Sequence, residues 1–263
     1  RYNQTMIKLT GPWNPPTFTK INFPVGETFI TVSGLSNQPI NISWFYESDV
    51  ELIELLFLVD ALKREGREVN ELLIPYFPSA RQDRVANPGE AFTLKVVADL
   101  VNSIGAKQVI VFDPHSDVVA ALVNNVKVVT QAEIFAPFFD QFGIGPCKLV
   151  ACDAGAQKKI FKLAKILQTE VIPCDKRRDT KTGEISGVVV HADDLTGVTA
   201  VMVDDICDGG RSFIEVAKGL REKNAEKIIL MVTHGFFTKG MGVFDGLVDE
   251  IYTRFGKVYP KCA

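Results

Sequence analysis

A chain of 263 residues that is 46% hydrophobic carries enough apolar side chains for one large or two ordinary cores. With 29 Lys and Arg against 32 Asp and Glu, its formal charge of −3 offers no basic field for nucleic acid. Five cysteines (Cys147, Cys152, Cys174, Cys207 and Cys262), odd in number and without a C-x-x-C pair, argue against a disulfide framework or a thiolate zinc site and read as reduced thiols of a cytoplasmic protein. No charged-then-apolar leader opens the chain, and its most apolar stretch, LIELLFLVDAL, is broken by Glu54 and Asp60, so the reading is of a protein with no membrane partner.

In chain order, the residues through about Tyr46 are punctuated by Pro12, Pro15, Pro16, Pro24 and Pro39 and read as short strands and turns. Ser48 with Glu51 forms a capping-box pair ahead of VELIELLFLVDALKREG, a helix that Gly66 stops. ELLIPYFP reads as a buried strand, AFTLKVVADLVNSIG as a helix, and KQVIVFDPH as a strand whose carboxyl end delivers Asp113 and His115. The cycle recurs beyond Gly143. CKLVACD is a strand ending in Asp153, AGAQKKIFKLAKIL a helix, TEVIPC a strand, ISGVVVH a strand returning from a polar loop, GVTAVMVDD a strand, SFIEVAKGLREK a helix and KIILMVTHG a strand. This alternation predicts an α/β fold of two similar units, each a mainly parallel sheet flanked by helices. The GIGP punctuation places the boundary so that residues 1–145 and 146–263 form the two domains.

The stretch VMVDDICDGGRS, from Val201 to Ser212, joins the strand of the second unit to its next helix. A plain strand-to-helix turn needs an acidic cap and nothing more. Here Asp204 and Asp205 have no capping role and suit vicinal sugar hydroxyls. The turn Asp208–Gly209–Gly210–Arg211–Ser212 can aim backbone N–H groups and a hydroxyl at a phosphate beyond the carboxyl end of a parallel strand.

This pattern resembles the phosphoribosyl-pyrophosphate loop shared by type I phosphoribosyltransferases and ribose-phosphate diphosphokinases. PYFPSARQDR (75–84) separates the two, because it resembles the ATP-binding segment of the diphosphokinases. VFDPHSDV (111–118) is similar to their metal-binding region, CDAG (152–155) to the second metal position, CDKRR (174–178) to the start of the catalytic loop and THGFF (233–237) to a strand-end signature. The resemblance runs from about Phe23 to Tyr252. It implies a phosphoribosyltransferase-like fold in both domains and transfer of the β,γ-diphosphoryl group of ATP to the C1 hydroxyl of ribose 5-phosphate. The implied ATP site comprises Phe23, Gly26, Glu27, Arg81, Gln82 and Asp83. The implied sugar-phosphate site comprises Arg178, Asp204, Asp205, Asp208, Gly209, Gly210, Arg211 and Ser212. Lys176 and Arg178 would stabilise charge on the transferring group. Mg²⁺ is the implied cofactor, at His115, Asp113 and Asp153, and a homo-oligomer the implied assembly.

Three departures stand out. FPVGE (23–27) carries Val25 where the family has an acid, Gly209 and Arg211 replace a usual Thr and Gly, and VANPGEAFTLK retains only Lys95 where the family is basic. A phosphoribosyltransferase and a non-catalytic regulatory subunit are the competing readings. The first should lack the ATP segment and the second should have lost His115, Lys176 or Arg178, and the chain keeps all of these.

Overall fold

The computed structural model describes residues 6–11, 15–153, 155–178 and 185–259; Lys176, Arg177, Arg178, Ile185 and Ser186 are described by their backbone alone. The described chain divides into two compact units between Val129 and Thr130.

The first unit begins with four strands, β1 (Ile7–Thr10), β2 (Thr17–Asn22), β3 (Thr28–Ser33) and β4 (Ile40–Trp44). It continues as α1 (Val50–Arg64), β5 (Val69–Ile74), α2 (Thr93–Ile104), β6 (Gln108–Phe112), α3 (Val118–Leu122) and β7 (Val126–Val129). Its sheet has the order β1-β4-β5-β6-β7, parallel except for the antiparallel edge strand β1. Strands β2 and β3 form a separate antiparallel hairpin. FPVGE is the tip of that hairpin, closed by the bonds from Phe23 N–H to Glu27 O and from Gly26 N–H to Phe23 O, both 2.8 Å. Trp44, Leu55, Leu58, Leu72, Ile74, Leu94 and Val111 are fully buried and form the centre of the core.

Helix α1 ends as its sequence predicts. Gly66 adopts a left-handed φ of 68° and the Arg67 N–H returns to Leu62 O, a closure that glycine makes at no steric cost. Its start differs from the expected capping box. The N-cap is Asp49, and no side chain caps the helix. Glu51 does reach back, its Oε2 accepting from the N–H of Glu47 at 2.8 Å, the Trp44 indole at 3.1 Å and the N–H of Ser48 at 3.4 Å, so the carboxylate half of the expected box is present and is shared with a buried tryptophan. A complete capping box occurs instead at Thr130 and Glu133.

The second unit runs α4 (Gln131–Gln141), β8 (Cys147–Ala151), α5 (Gln157–Leu167), β9 (Val171–Arg178), β10 (Ile185–Val190), β11 (Thr199–Cys207), α6 (Arg211–Glu222), β12 (Lys227–Gly235), β13 (Glu250–Thr253) and β14 (Gly256–Tyr259), with a short 3-10 turn at Met241–Phe244. Helix α4 explains why the units part ahead of the GIGP punctuation. Its buried Phe135 and Phe139 pack with Ile160 and Leu163 of α5 and with Val201, so this helix belongs to the second core.

The seven strands lie in the order β10-β9-β8-β11-β12-β13-β14, antiparallel only at the two edges. Successive residues of a strand face opposite sides of its sheet. Val201 and Val203 accordingly meet the α4 and α5 side, while Ala200 and Met202 meet Phe213, Val216 and Leu220 of α6. A strand covered on both faces must be apolar at every position, which is why AVMV reads as a continuous run. Burying one such large side chain contributes roughly 1.5–3 kcal/mol. Strand β9 extends further than TEVIPC, since pairing with β10 carries it through Lys176 and Arg178, opposite Val188 and Ile185. The polar loop beyond Arg178 lies outside the described residues.

Candidate active site

The carboxyl edge of the seven-stranded sheet is uneven. β11 pairs with β8 only as far as Met202 opposite Val150, but its ladder with β12 continues through Asp204 opposite Val232 to Cys207 opposite Gly235. Asp204 and Asp205 therefore stand on a strand that has outrun one neighbour, beside the loop that follows β8 and carries Asp153. The Oδ1 of Asp153 accepts the Ala156 N–H at 3.1 Å and fixes the entry to α5. From the first turn of α5, Lys159 Nζ donates to Asp205 Oδ2 at 3.0 Å. Three carboxylates and one ammonium thus share this edge.

The carboxylates do not share it comfortably. Asp204 is pushed from 3.8 up to about 8, first by burial and then by the charge of Asp205, with Asp153 adding to the effect; the Asp205 N–H, which Asp204 Oδ1 accepts at 2.8 Å, and Lys159 act in the opposite sense. Cys207 nearby is raised to about 12 by burial, as is Cys174, so both thiols are inert rather than nucleophilic.

The DGG turn follows directly and is stapled to the segment after β12. Cys207 O accepts the Phe236 N–H at 2.8 Å, Asp208 O accepts the Thr238 N–H at 3.1 Å, and Asp208 Oδ1 accepts the Thr238 hydroxyl at 2.8 Å. Gly210, at φ 80°, is the N-cap of α6 and is glycine for two reasons. Its backbone is left-handed, and a β-carbon there would stand 2.6 Å from Cζ of the buried Phe244. A glycine cap offers no side chain to the first turn of α6, so the N–H groups of that turn face outward for an external acceptor, with Arg211 and Ser212 exposed beside them.

In the first unit, the segment predicted for ATP is anchored by buried Phe77 and Ala80, which leaves Arg81 and Gln82 exposed and Asp83 half-buried. Ser79 holds a positive φ of 60° and its carbonyl accepts the Gln82 N–H at 2.8 Å, so a tight turn presents the two side chains. Asp113 has φ 39°, an uncommon conformation for a residue with a side chain, and is buried, while His115 is exposed. Phe23 and Val25, at the hairpin tip, are also exposed.

The predicted sugar-phosphate residues Asp204, Asp205, Asp208, Gly209, Gly210, Arg211 and Ser212 and the predicted metal residue Asp153 share one edge of the second unit. Lys176 and Arg178 lie on its β9, by backbone, and the ATP-side residues with His115 and Asp113 lie in the first unit. The sequence reading missed Lys159, Thr238 and Phe244. Lys159 has a signal in hindsight. Cations at a helix N-terminus oppose the helix dipole, so KK in the opening turn of α5 calls for a carboxylate partner.

Among the described residues no group of three or more His, Cys, Asp or Glu forms a ready cage for a metal ion. An ion that prefers oxygen and keeps its waters suits a crowded acidic edge of this kind. No helix among the described residues is long and apolar enough to cross a membrane.

A family model described as the N-terminal domain of ribose phosphate pyrophosphokinase matches residues 29–105, and one described as a phosphoribosyl synthetase-associated domain matches residues 186–251. The ribose-phosphate pyrophosphokinase of Thermococcus kodakarensis is 33% identical over 220 residues, covering 83% of this chain and 77% of the relative. That of Halalkalibacterium halodurans is 30% identical over 230 residues, covering 82% and 72%. The crystal structure of phosphoribosylpyrophosphate synthetase from Mycobacterium smegmatis superposes with a TM-score of 0.77 at 22% identity over 91% of this chain and 80% of that one, a likeness of fold.

Two predictions follow from the site's construction. Folded Asp204 keeps its proton up to about pH 8 while the unfolded chain releases it near pH 4, so its contribution to stability is complete at acid pH and is lost as pH rises across that window. Asp204→Asn should raise the Tm at pH 8 by roughly 2–5 °C, with the gain vanishing near pH 4 in thermal scans. Gly210→Ala meets both a left-handed φ and Phe244, and should cost about 1–3 kcal/mol in denaturant unfolding.

Proposed function

This chain belongs to the ribose-phosphate pyrophosphokinase family, and from that premise we propose how its residues divide the transfer of the β,γ-diphosphoryl group from ATP to the C1 hydroxyl of ribose 5-phosphate, which yields phosphoribosyl pyrophosphate and AMP. The observation that carries this reading is the stapled turn at the end of β11, where paired carboxylates precede an uncapped helix N-terminus.

The sugar phosphate is a diol at one end and a dianion at the other. Asp204 and Asp205 accept hydrogen bonds from the ribose hydroxyls, and the N–H groups of the α6 first turn, with Ser212, bind the phosphate. Lys159 pairs with Asp205 and counters the charge that raises Asp204. Phosphoryl transfer depends mainly on positioning and on neutralising charge. Lys176 and Arg178 supply positive charge to the transferring group, and Arg178 also serves the sugar phosphate. Arg81, Gln82 and Asp83, with Phe23, Gly26 and Glu27, hold ATP; the exposed tip bearing Val25 makes this the more altered side of the site. Mg²⁺ is assigned to two positions, one at His115 in the first unit and one at Asp153 in the second, and when bound it would neutralise diphosphate oxygens. Asp113, being buried, supports the turn that presents His115. The exposed apolar side chains of the hairpin, Ile21, Phe23, Val25 and Phe29, support a homo-oligomer, and its place is the cytoplasm.

Incubation with ATP, Mg²⁺ and ribose 5-phosphate tests the reading. AMP and phosphoribosyl pyrophosphate should appear together; ADP as the product would overturn it. Lys176→Ala should lower kcat by about 10²–10³ while leaving the KM of either substrate nearly unchanged, since its charge acts in the transition state. Unchanged turnover with weakened binding in steady-state kinetics would remove it from that role.

A further inference from the structure

The segment that staples the DGG turn has one side chain that the stapling does not use. Thr238 is bonded to Asp208, and Gly240, at φ 75°, returns its N–H to Phe237 O at 2.7 Å, so the intervening Lys239 is fixed at its backbone relative to the turn. Its stem lies along Gly209. A β-carbon built on Gly209 would stand 3.5 Å from both Cδ and Cε of Lys239 and 3.7 Å from Cγ.

Gly209 does not hold a left-handed φ, so backbone conformation does not call for glycine at this position. A bare β-carbon would fit in ordinary contact, but a longer side chain would displace the lysine stem. Gly209 therefore leaves the shallow track in which Lys239 lies. The lysine itself is exposed, and it is absent from every ion pair and side-chain hydrogen bond of the described residues. A lysine held by its stem, with no carboxylate partner, beside a turn whose N–H groups face outward, is placed for an anion.

We propose that Lys239 is a specificity-determining residue for the phosphomonoester of the sugar phosphate. Its ammonium joins the N–H groups of the α6 first turn around the phosphate, and so separates phosphorylated from unphosphorylated sugars. This rests on the reading that the turn takes ribose 5-phosphate. Lysine binds phosphate as a point charge on a flexible stem, so the contribution belongs to its charge, while the track along Gly209 limits where that charge can stand.

Lys239→Met in the full chain isolates the charge, because methionine keeps an unbranched stem for the Gly209 track. Calorimetric titration with ribose 5-phosphate should show the Kd rising about 3- to 10-fold at low salt, as suits a partly solvated charge-assisted contact. The KM for ribose 5-phosphate should rise by the same factor, with kcat, the KM for ATP and the Tm unchanged. Added salt should weaken ribose 5-phosphate binding less steeply in the variant, and Lys239→Arg should restore most of the affinity. Wild-type affinity in Lys239→Met overturns the proposal, and so does an equal loss in the Met and Arg variants, which would assign the effect to stem shape. If the unmutated protein neither binds ribose 5-phosphate nor forms phosphoribosyl pyrophosphate, the functional reading fails and takes the proposal with it. Activity in the unmutated protein with an unaltered Lys239→Met removes the proposal alone.

Discussion

The parallel ladder between β11 and β12 is the constraint on which the candidate site depends. By continuing to Cys207 opposite Gly235 after β8 has stopped, it sets the DGG turn beside the segment from Phe236 to Gly240, and hydrogen bonds to Cys207 and Asp208 then lock the two together. A phosphate cradle made of backbone N–H groups works only if those groups are held in place before the ligand arrives, since ordering them on binding would offset much of the gain. Here the ordering comes from the sheet, the Thr238 staple and Phe244 packed beneath Gly210.

The same ladder crowds Asp204 against Asp205 and Asp153, and the elevated Asp204 is the electrostatic result. A structural edge would avoid such an arrangement, because like charges in a half-buried setting raise one another's cost. The proposed occupants, a metal ion and a sugar diol, would offset that cost with positive charge and hydroxyl donors. Lys159 provides part of that compensation within the chain.

Much of the fold was legible because parallel strands buried on both faces and amphipathic helices leave strong periodic signals. AVMV, KIILMV and the helix after DGGRS were placed within a few residues. The elements that were missed had weak ones. Helix α4 contains Pro137, β7 is four residues long, and β13 and β14 are short edge strands whose pairing depends on neighbours distant in the chain. At Ser48 only the carboxylate half of the capping box forms, with Glu51 shared among Ser48, Glu47 and the Trp44 indole while no side chain caps the helix. At the site, the residue types of VDDICDGGRS carried their own chemistry. Lys159 and Thr238 did not, since their importance comes from the residues that the fold sets opposite them.

The extension of β9 through Arg178 has a mechanical consequence. Pairing of β9 with β8 ends at Ala151 opposite Pro173, whereas pairing with β10 continues from Cys174 to Arg178. Beyond Pro173 the sheet is therefore a ribbon of two strands, and such ribbons twist more readily than wide sheets. At the root of the ribbon Cys174 is buried opposite Val190, and Val190 sits so close to Gly219 of α6 that a β-carbon there would approach it to 2.8 Å. The root is clamped and the far end is paired on one side only, so the backbone bearing Lys176 and Arg178 is a cantilever. A bulkier residue at Gly219 on the neighbouring helix would push on Val190 and, through it, on the root of the strand whose backbone carries both residues.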